Sequence, residues 1–307
     1  MNRSHGSQQD AEEPFLIGVD IGGTKMIMVI TDRDGNVVYK KKVGTSSDLE
    51  AISVQIQAYL QACAVTMEQV AAIGFGVPGI TDSKEGTVIE APAFQWKYMP
   101  FKAEMQTFLD KPVYVNNDVN CAALGERWVG TAKNTNDYIV ISIGTGVGSA
   151  IVANGALIQG SGYMAGEIAY MVMNPYIFNG NVNAFGEFGQ YEKKISGLAL
   201  SKHGYSAQEL FALYKQGQPQ AVEIITTFVQ DLAIGIANMV SLLNPQKVIL
   251  GGGVSQSLPA VLDAIQATVA RLTPIATRIE LTSLGEEAGA VGAAAFAYEQ
   301  LTMEKRS

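Results

Sequence analysis

Apolar residues follow two rhythms along this chain. Short Ile- and Val-rich runs alternate with longer stretches in which apolar positions recur every three or four residues, the periods of buried strands and of amphipathic helices. The first rhythm marks Phe15-Leu16-Ile17, Met26-Ile27-Met28-Val29-Ile30, "VAAIGFGV" from Val70, "PVYVN" from Pro112, "YIVISI" from Tyr138, "KVILGG" from Lys247 and "RIELTSLG" from Arg278. The second predicts helices over about 48–68 and through "VNCAALGERWVG", "AVEIITTFVQDLAIGIANMVSLL", "SLPAVLDAIQATVARL" and the alanine-rich "EEAGAVGAAAFAYEQL". Strands alternating with helices predict an α/β protein. The small residues of the last helix predict a close approach, of the kind found where two domains meet.

Two of these segments resemble each other. "LIGVDIGGTKMIMVITDRDGNVV" and "YIVISIGTGVGSAIVANGALIQG" each read strand, Ile-Gly with a small residue and a hydroxyl, second strand, turn. Gly22 maps onto Gly144, 122 positions on, so the chain contains two related halves that each open with a hairpin. The hairpin turns, Gly22-Gly23-Thr24-Lys25 and Gly144-Thr145-Gly146, let backbone N–H groups converge on one point, as a phosphate requires.

Composition narrows the classes. The chain has 307 residues, 48% of them apolar, and a formal net charge of −8, enough for one or two domains and unlike a protein whose main partner is a nucleic acid. Residues 138–166 carry no charge, but glycines and polar residues break them into short β-branched runs, which predicts a buried sheet and no membrane span. Cys63 and Cys121 stand apart with no C-x-x-C partner, as reduced thiols do. With no apolar leader in the polar tail 1–14, the expectation is a soluble cytoplasmic protein.

Other glycine motifs sort by context. "GFGVPG" (Gly74 to Gly79) has the dinucleotide spacing, but Pro78 and the turn "TDSKEGT" follow where a helix would have to begin, and no G-x-x-x-x-G-K-[ST] occurs. In "KVILGGGVSQS" a strand runs into Gly252 and Gly253, so bare backbone can lie against a planar ring or a phosphate. "KPVYVNNDVNCAALGE" sets Asn117 and Asp118 at the C-terminal end of a strand, where ligands of α/β sheets sit. By position alone Asp118 serves either as the N-cap of the following helix or as a general base. Phosphoryl transfer to an alcohol needs such a carboxylate, with a metal to spread charge, and Asp20 would sit by metal and phosphates. Asn117 offers a donor and an acceptor, as a sugar hydroxyl requires.

"DIGGTK", "NND" with "NCAALGE", "SIGTGVG", "GEIAYM", "EKKISGLAL" and "VILGGGV" together resemble the ROK family of sugar kinases and related repressors over about residues 15–300. The resemblance implies a two-domain actin-like (ribonuclease-H-like) ATPase fold with an interdomain cleft. The domains would be 15–117 with about 286–307, and 118–285. It implies ATP with Mg2+ as cofactors: Gly22, Gly23, Thr24 and Lys25 at the phosphates, Gly144, Thr145 and Gly146 opposite, Gly252 and Gly253 near the adenosine, and Asp20 toward Mg2+ through the phosphates. Asp118 matches the catalytic base, and Asn117, Glu167 and Glu192 match sugar ligands, while Gly79 lines the sugar loop. A homodimer is also implied. The expected activity is transfer of the γ-phosphate to the 6-hydroxyl of glucose or a close relative. A β-glucoside, N-acetylmannosamine or fructose kinase is the alternative, and a non-catalytic sugar-sensing regulator is the alternative of another class.

The sequence departs from the family at its structural zinc, held in many members by one His and three Cys. Tyr170 stands at the His position, beside the sugar, and Asn183, Phe185 and Gln190 at the cysteine positions, so no zinc is expected. Phe178, Phe185 and Phe188 turned inward would then hold this loop, with the Tyr170 hydroxyl given to a neighbour or to the sugar. Ala93 stands where glucokinase-like members often carry an Asn. Phe94, Trp96 and Tyr98 beside it either pack in the core or floor a larger site. Repressor members carry a helix-turn-helix before the first hairpin, where this sequence has the short tail.

Overall fold

A computed structural model describes residues 14–173, 183 and 186–306 of the chain. They form two compact units, one of the described residues up to Val129 together with those from Glu287 on, the other of those between Gly130 and Glu286.

In the first unit, β1 (Phe15–Ile21) and β2 (Lys25–Thr31) form an antiparallel hairpin, and β3 (Val37–Gly44) pairs with β2 at the sheet edge. The Asp32 carboxylate accepts the Asp34 and Asn36 N–H groups and so shapes the β2–β3 turn. α1 (Leu49–Ala62), capped by Asp48, is shorter than the apolar pattern promises, because Ala64 turns left-handed and Thr66 opens a separate capped turn. β4 (Val70–Val77), buried at all eight positions, lies parallel to β1. β5 (Ile80–Asp82), β6 (Thr87–Ala91) and β7 (Trp96–Met99) make a small antiparallel sheet. α2 (Phe101–Phe108), β8 (Val113–Asn117) and α3 (Asp118–Trp128) follow, giving the main sheet the order β3-β2-β1-β4-β8. Phe94 and Trp96 belong to the core: Trp96 packs 4.6 Å from the Phe94 ring and 5.7 Å from Phe101, whereas Tyr98 is 70% exposed.

The C-terminal helix (Ala288–Glu304) completes this unit. Its small residues serve a close approach to the strands and helix of this unit. A Cβ on Gly18 of β1 would stand 1.8 Å from the Ala290 carbonyl oxygen, and one on Gly292 would stand 1.5 Å from that of Cys121. The same packing draws α3 into the first unit, so the units divide after Val129, whereas the sequence pattern divides before Asp118.

In the second unit, β9 (Tyr138–Ile143), β10 (Val147–Ala153) and β11 (Ala156–Ile158) form an antiparallel set. Then come α4 (Glu192–Ile195), α5 (Gly197–Ser201), α6 (Ala207–Lys215), α7 (Pro219–Leu243), β12 (Lys247–Gly251), α8 (Leu262–Leu272) and β13 (Arg278–Leu281). Pro259 keeps the segment before α8 a 3-10 turn, Gly253–Ala260, where the pattern predicts one continuous helix. The sheet order is β11-β10-β9-β12-β13, with antiparallel and parallel pairs in the same places as in the first unit. Both hairpin turns contain three residues, 22–24 and 144–146, so the sequence repeat is a repeat of topology. α7 is apolar enough to cross a membrane, but Ile225, Phe228, Leu232, Ile236 and Val240 are buried in the second core.

Candidate active site

Functional candidates in the first unit gather at the carboxyl ends of β1, β4 and β8. The turn after β1 is closed by the Gly22 N–H donating to the Lys25 carbonyl at 3.0 Å, and Gly23, Thr24 and Lys25 are exposed. Asp20 pairs in register with Gly76 of β4, which in turn pairs with Asn116, so the aspartates at the ends of β1 and β8 flank a residue with no side chain. A Cβ on Gly76 would come within 3.3 Å of the Asp118 Cα. Burial, and then the negative charge of Asp118, push the Asp20 carboxyl up to about 8. Burial likewise raises Asp118 to about 6, although the Val119 N–H donates to its Oδ1 at 2.9 Å. The same burial and both carboxylates push the Cys121 thiol well above its ordinary range, which leaves it a packing residue.

Asp118 does not cap α3. That task falls to Asn117, whose Oδ1 accepts from Val119 N–H at 2.9 Å and Asn120 N–H at 3.0 Å. Its Nδ2 donates to the Gly79 carbonyl at 3.0 Å. The Asn117 side chain also hydrogen-bonds the Asp118 carboxyl, and the acceptor that its type suggests for a sugar is already used by the helix cap. Gly79 has φ +95°, and a Cβ there would meet the Glu90 carbonyl at 2.2 Å, so only glycine fits this turn. The helix cap and the Gly79 loop thus fix Asp118 and Asn117 together. Two mutually repelling carboxylates with oxygen donors suit a small hard cation such as Mg2+.

In the second unit the Gly144–Gly146 turn is held from several sides. Gly144 N–H donates to the Gly146 carbonyl at 2.9 Å, Gly197 N–H to that of Gly144 at 2.8 Å, and Leu198 N–H to that of Thr145 at 3.3 Å. Glu192 Oε1 accepts from Val147 N–H at 2.8 Å. Gly252 lies against the end of β9, with a hypothetical Cβ 2.5 Å from the Ile143 carbonyl, which brings Gly252 and Gly253 to the same hairpin.

Glu167 and Tyr170 bracket a short 3-10 turn stitched to Asn183 and to residues 186–191. Tyr191 N–H donates to the Ala169 carbonyl, Asn183 Nδ2 donates to the Tyr170 carbonyl at 2.8 Å, and Gln190 N–H donates to Asn183 Oδ1 at 2.9 Å. The Tyr170 hydroxyl accepts from Gly186 N–H at 3.2 Å. The residues at the zinc positions among those described are therefore bonded to one another, and a phenol and two amides do not form the donor set of a tetrahedral zinc. Phe188 is 44% exposed rather than turned inward, and Phe178 and Phe185 lie outside the described residues.

Sequence reasoning passed over three supporting residues. Tyr191 is fully buried, and its hydroxyl is shared between the Asp231 and Leu232 carbonyls of α7. Gly235 makes room for it: a Cβ there would stand 2.1 Å from that hydroxyl. Gly289 stands beside the Asp20 carboxylate. Nothing in local spacing marks these contacts, each of which joins positions at least 40 residues apart.

The duplicated sheet, each copy with a glycine hairpin, is that of the two-domain actin-like ATPase fold. Within it the chain belongs to the ROK family, whose profile matches residues 16–300. It is 32% identical to a glucokinase of Streptomyces coelicolor, over 93% of this chain and 98% of that protein. It is 31% identical to an N-acetyl-D-glucosamine kinase of Escherichia coli, over 90% and 97%. A crystal structure of a ROK family glucokinase from Streptomyces griseus in complex with glucose and AMPPNP superposes with a TM-score of 0.80 at 30% identity, covering 93% of this chain and 99% of that one.

Proposed function

We propose that this protein transfers the γ-phosphate of ATP to the 6-hydroxyl of glucose or a closely related hexose, with Asp118 as general base. That it is a sugar kinase follows from its family and its kinase relatives. The observation that carries the residue assignment is the carboxyl of Asp118, raised to about 6 and fixed at the end of β8 beside Asn117. A base of that strength is ionised at neutral pH yet close enough to neutrality to hold a proton during transfer.

In the proposed reaction Asp118 takes the proton of the attacking hydroxyl as its oxygen bonds to the γ-phosphorus, and the bond from that phosphorus to the bridging oxygen breaks to release ADP. Asn117, Gly79, Glu167, Glu192 and Tyr170 orient the sugar. Gly22–Lys25 and Gly144–Gly146 hold phosphates through backbone N–H groups, and Gly252–Gly253 lie by the adenosine. Mg2+, when bound near Asp20, spreads the charge of the phosphates. Homodimerisation and a cytoplasmic location complete the proposal.

A coupled ADP-release assay over glucose, a β-glucoside, N-acetylmannosamine, N-acetylglucosamine and fructose tests it. Glucose should turn over fastest. A better rate with another sugar corrects the substrate, sugar binding without ADP release would make the protein a regulator, and neither binding nor turnover would sink the proposal.

A further inference from the structure

Glu192 reaches two places with one carboxylate. Oε1 accepts the Val147 N–H at 2.8 Å, directly after the Gly144–Gly146 turn, and Oε2 accepts the Gly189 N–H at 3.3 Å, in the loop stitched to Tyr170. There is no slack at the first contact, since a Cβ on Gly146 would stand 2.3 Å from Oε1. A few residues on, Gly197 and Leu198 donate their N–H groups to the carbonyls of Gly144 and Thr145, so the segment 192–198 grips the turn from both ends. Its own backbone cannot drift, because the preceding Tyr191 is fully buried with its hydroxyl bonded to two carbonyls of α7. Each carboxylate oxygen accepts one backbone N–H and keeps lone pairs for a further donor.

We infer that Glu192 is a positioning residue for the Gly144–Gly146 turn, and that through it occupancy of the sugar loop and of the phosphate turn are coupled. The inference rests on the proposed sugar-kinase function, in which Glu192 faces the sugar and the turn faces phosphate. A sugar hydroxyl donating to the carboxylate fixes its rotamer, and a fixed carboxylate holds the Val147 N–H and the turn in their phosphate-binding shape. The coupling is therefore positive, and by linkage it is the same in both directions.

The test is titration of the complete chain with AMPPNP and Mg2+, with and without the best sugar of the panel. Wild type should bind AMPPNP several-fold tighter with sugar present. Glu192→Ala should weaken AMPPNP binding about tenfold (about 1.4 kcal/mol) even without sugar, and should abolish the effect of sugar. Glu192→Gln, whose amide oxygen can still accept from Val147 N–H, should recover most of the AMPPNP affinity, which a residue serving only the sugar would not show. Gly146→Ala approaches from the other side: its Cβ displaces the carboxylate and should raise the KM for sugar several-fold, and this variant decides if Glu192→Ala fails to fold. Wild-type AMPPNP affinity in Glu192→Ala, or an unchanged sugar KM in Gly146→Ala, overturns the inference and leaves the kinase standing. Failure of the wild-type protein to bind AMPPNP at all overturns the kinase and the inference with it.

Discussion

The carboxylate of Asp20 lies against the α-carbon of Gly289, so close that a methyl group built there would stand 2.6 Å from Oδ2. The C-terminal helix thereby sets the position of an acidic group at the end of β1, on the far side of the sequence. Gly289→Ala raises helix propensity by about 1 kcal/mol, which favours the folded state, while its Cβ pushes the carboxylate aside. The expected result is at least a tenfold loss of kcat/KM with little or no loss of Tm, read by steady-state assay and thermal melts. Unchanged kinetics would mean that Asp20 needs no such placement.

Asp118 works ionised and is raised to about 6. The rate should therefore climb as pH rises through about 6 and level off above it, where an ordinary aspartate would already have levelled off near 4. Asp118→Asn should lower kcat by about 10²–10⁴-fold, remove this acid limb, and leave sugar affinity within a few-fold, measured by pH–rate profiles and calorimetry. A variant that keeps its rate refutes the base assignment.

Asp20 makes a prediction about stability. Its carboxyl moves from 3.8 in a model peptide to about 8 here, so the folded protein holds a proton that the unfolded chain releases. Stability is then lost as pH rises from about 4 to about 8, and the loss is constant above that. Asp20→Asn should raise Tm over wild type in Mg2+-free buffer, with a gap that widens between pH 5 and pH 8. A gap independent of pH would show that the carboxyl is not perturbed.

Of the fold, the sequence revealed what is local or repeated. The Gly22 and Gly144 turns, the alternation of strands and helices, and the placement of Asn117 and Asp118 at the carboxyl end of β8 all follow from patterns within about 20 residues. The division of labour between those two was not legible, because which of two adjacent polar side chains caps a helix depends on backbone angles: Asn117 has the extended ψ of a cap, and Asp118 is already helical. Gly289 against Asp20 and Tyr191 against Gly235 were equally hidden, since a glycine that makes room for a distant side chain leaves no trace in its own neighbourhood. The loop at Tyr170 was half legible. Its residue types argue against a zinc set, but the amide contacts of Asn183 and the exposure of Phe188 depend on backbone geometry that the residue types do not reveal.

That loop gives a fourth prediction. We expect elemental analysis to find no stoichiometric zinc, and a strong zinc chelator to leave Tm and turnover unchanged with Mg2+ present. Because the Tyr170 hydroxyl accepts the Gly186 N–H, Tyr170→Phe should lower Tm by about a degree or two. A raised sugar KM with no change in Tm would instead assign the hydroxyl to the sugar, and one zinc per chain would refute the zinc-free loop.

Because the first unit is completed by the chain's last helix, a ribosome must synthesise all of residues 130–286 before that unit can close. At about 5–20 residues per second this interval is roughly 8–30 s. Throughout it, β1 and β4 present the glycine-lined face that Ala290 and Ala293 later cover, a surface suited to a chaperone. The second unit is continuous in sequence and can be finished first. Nascent chains arrested after Glu286 should therefore yield a protease-resistant second unit attached to a first unit that is still digestible.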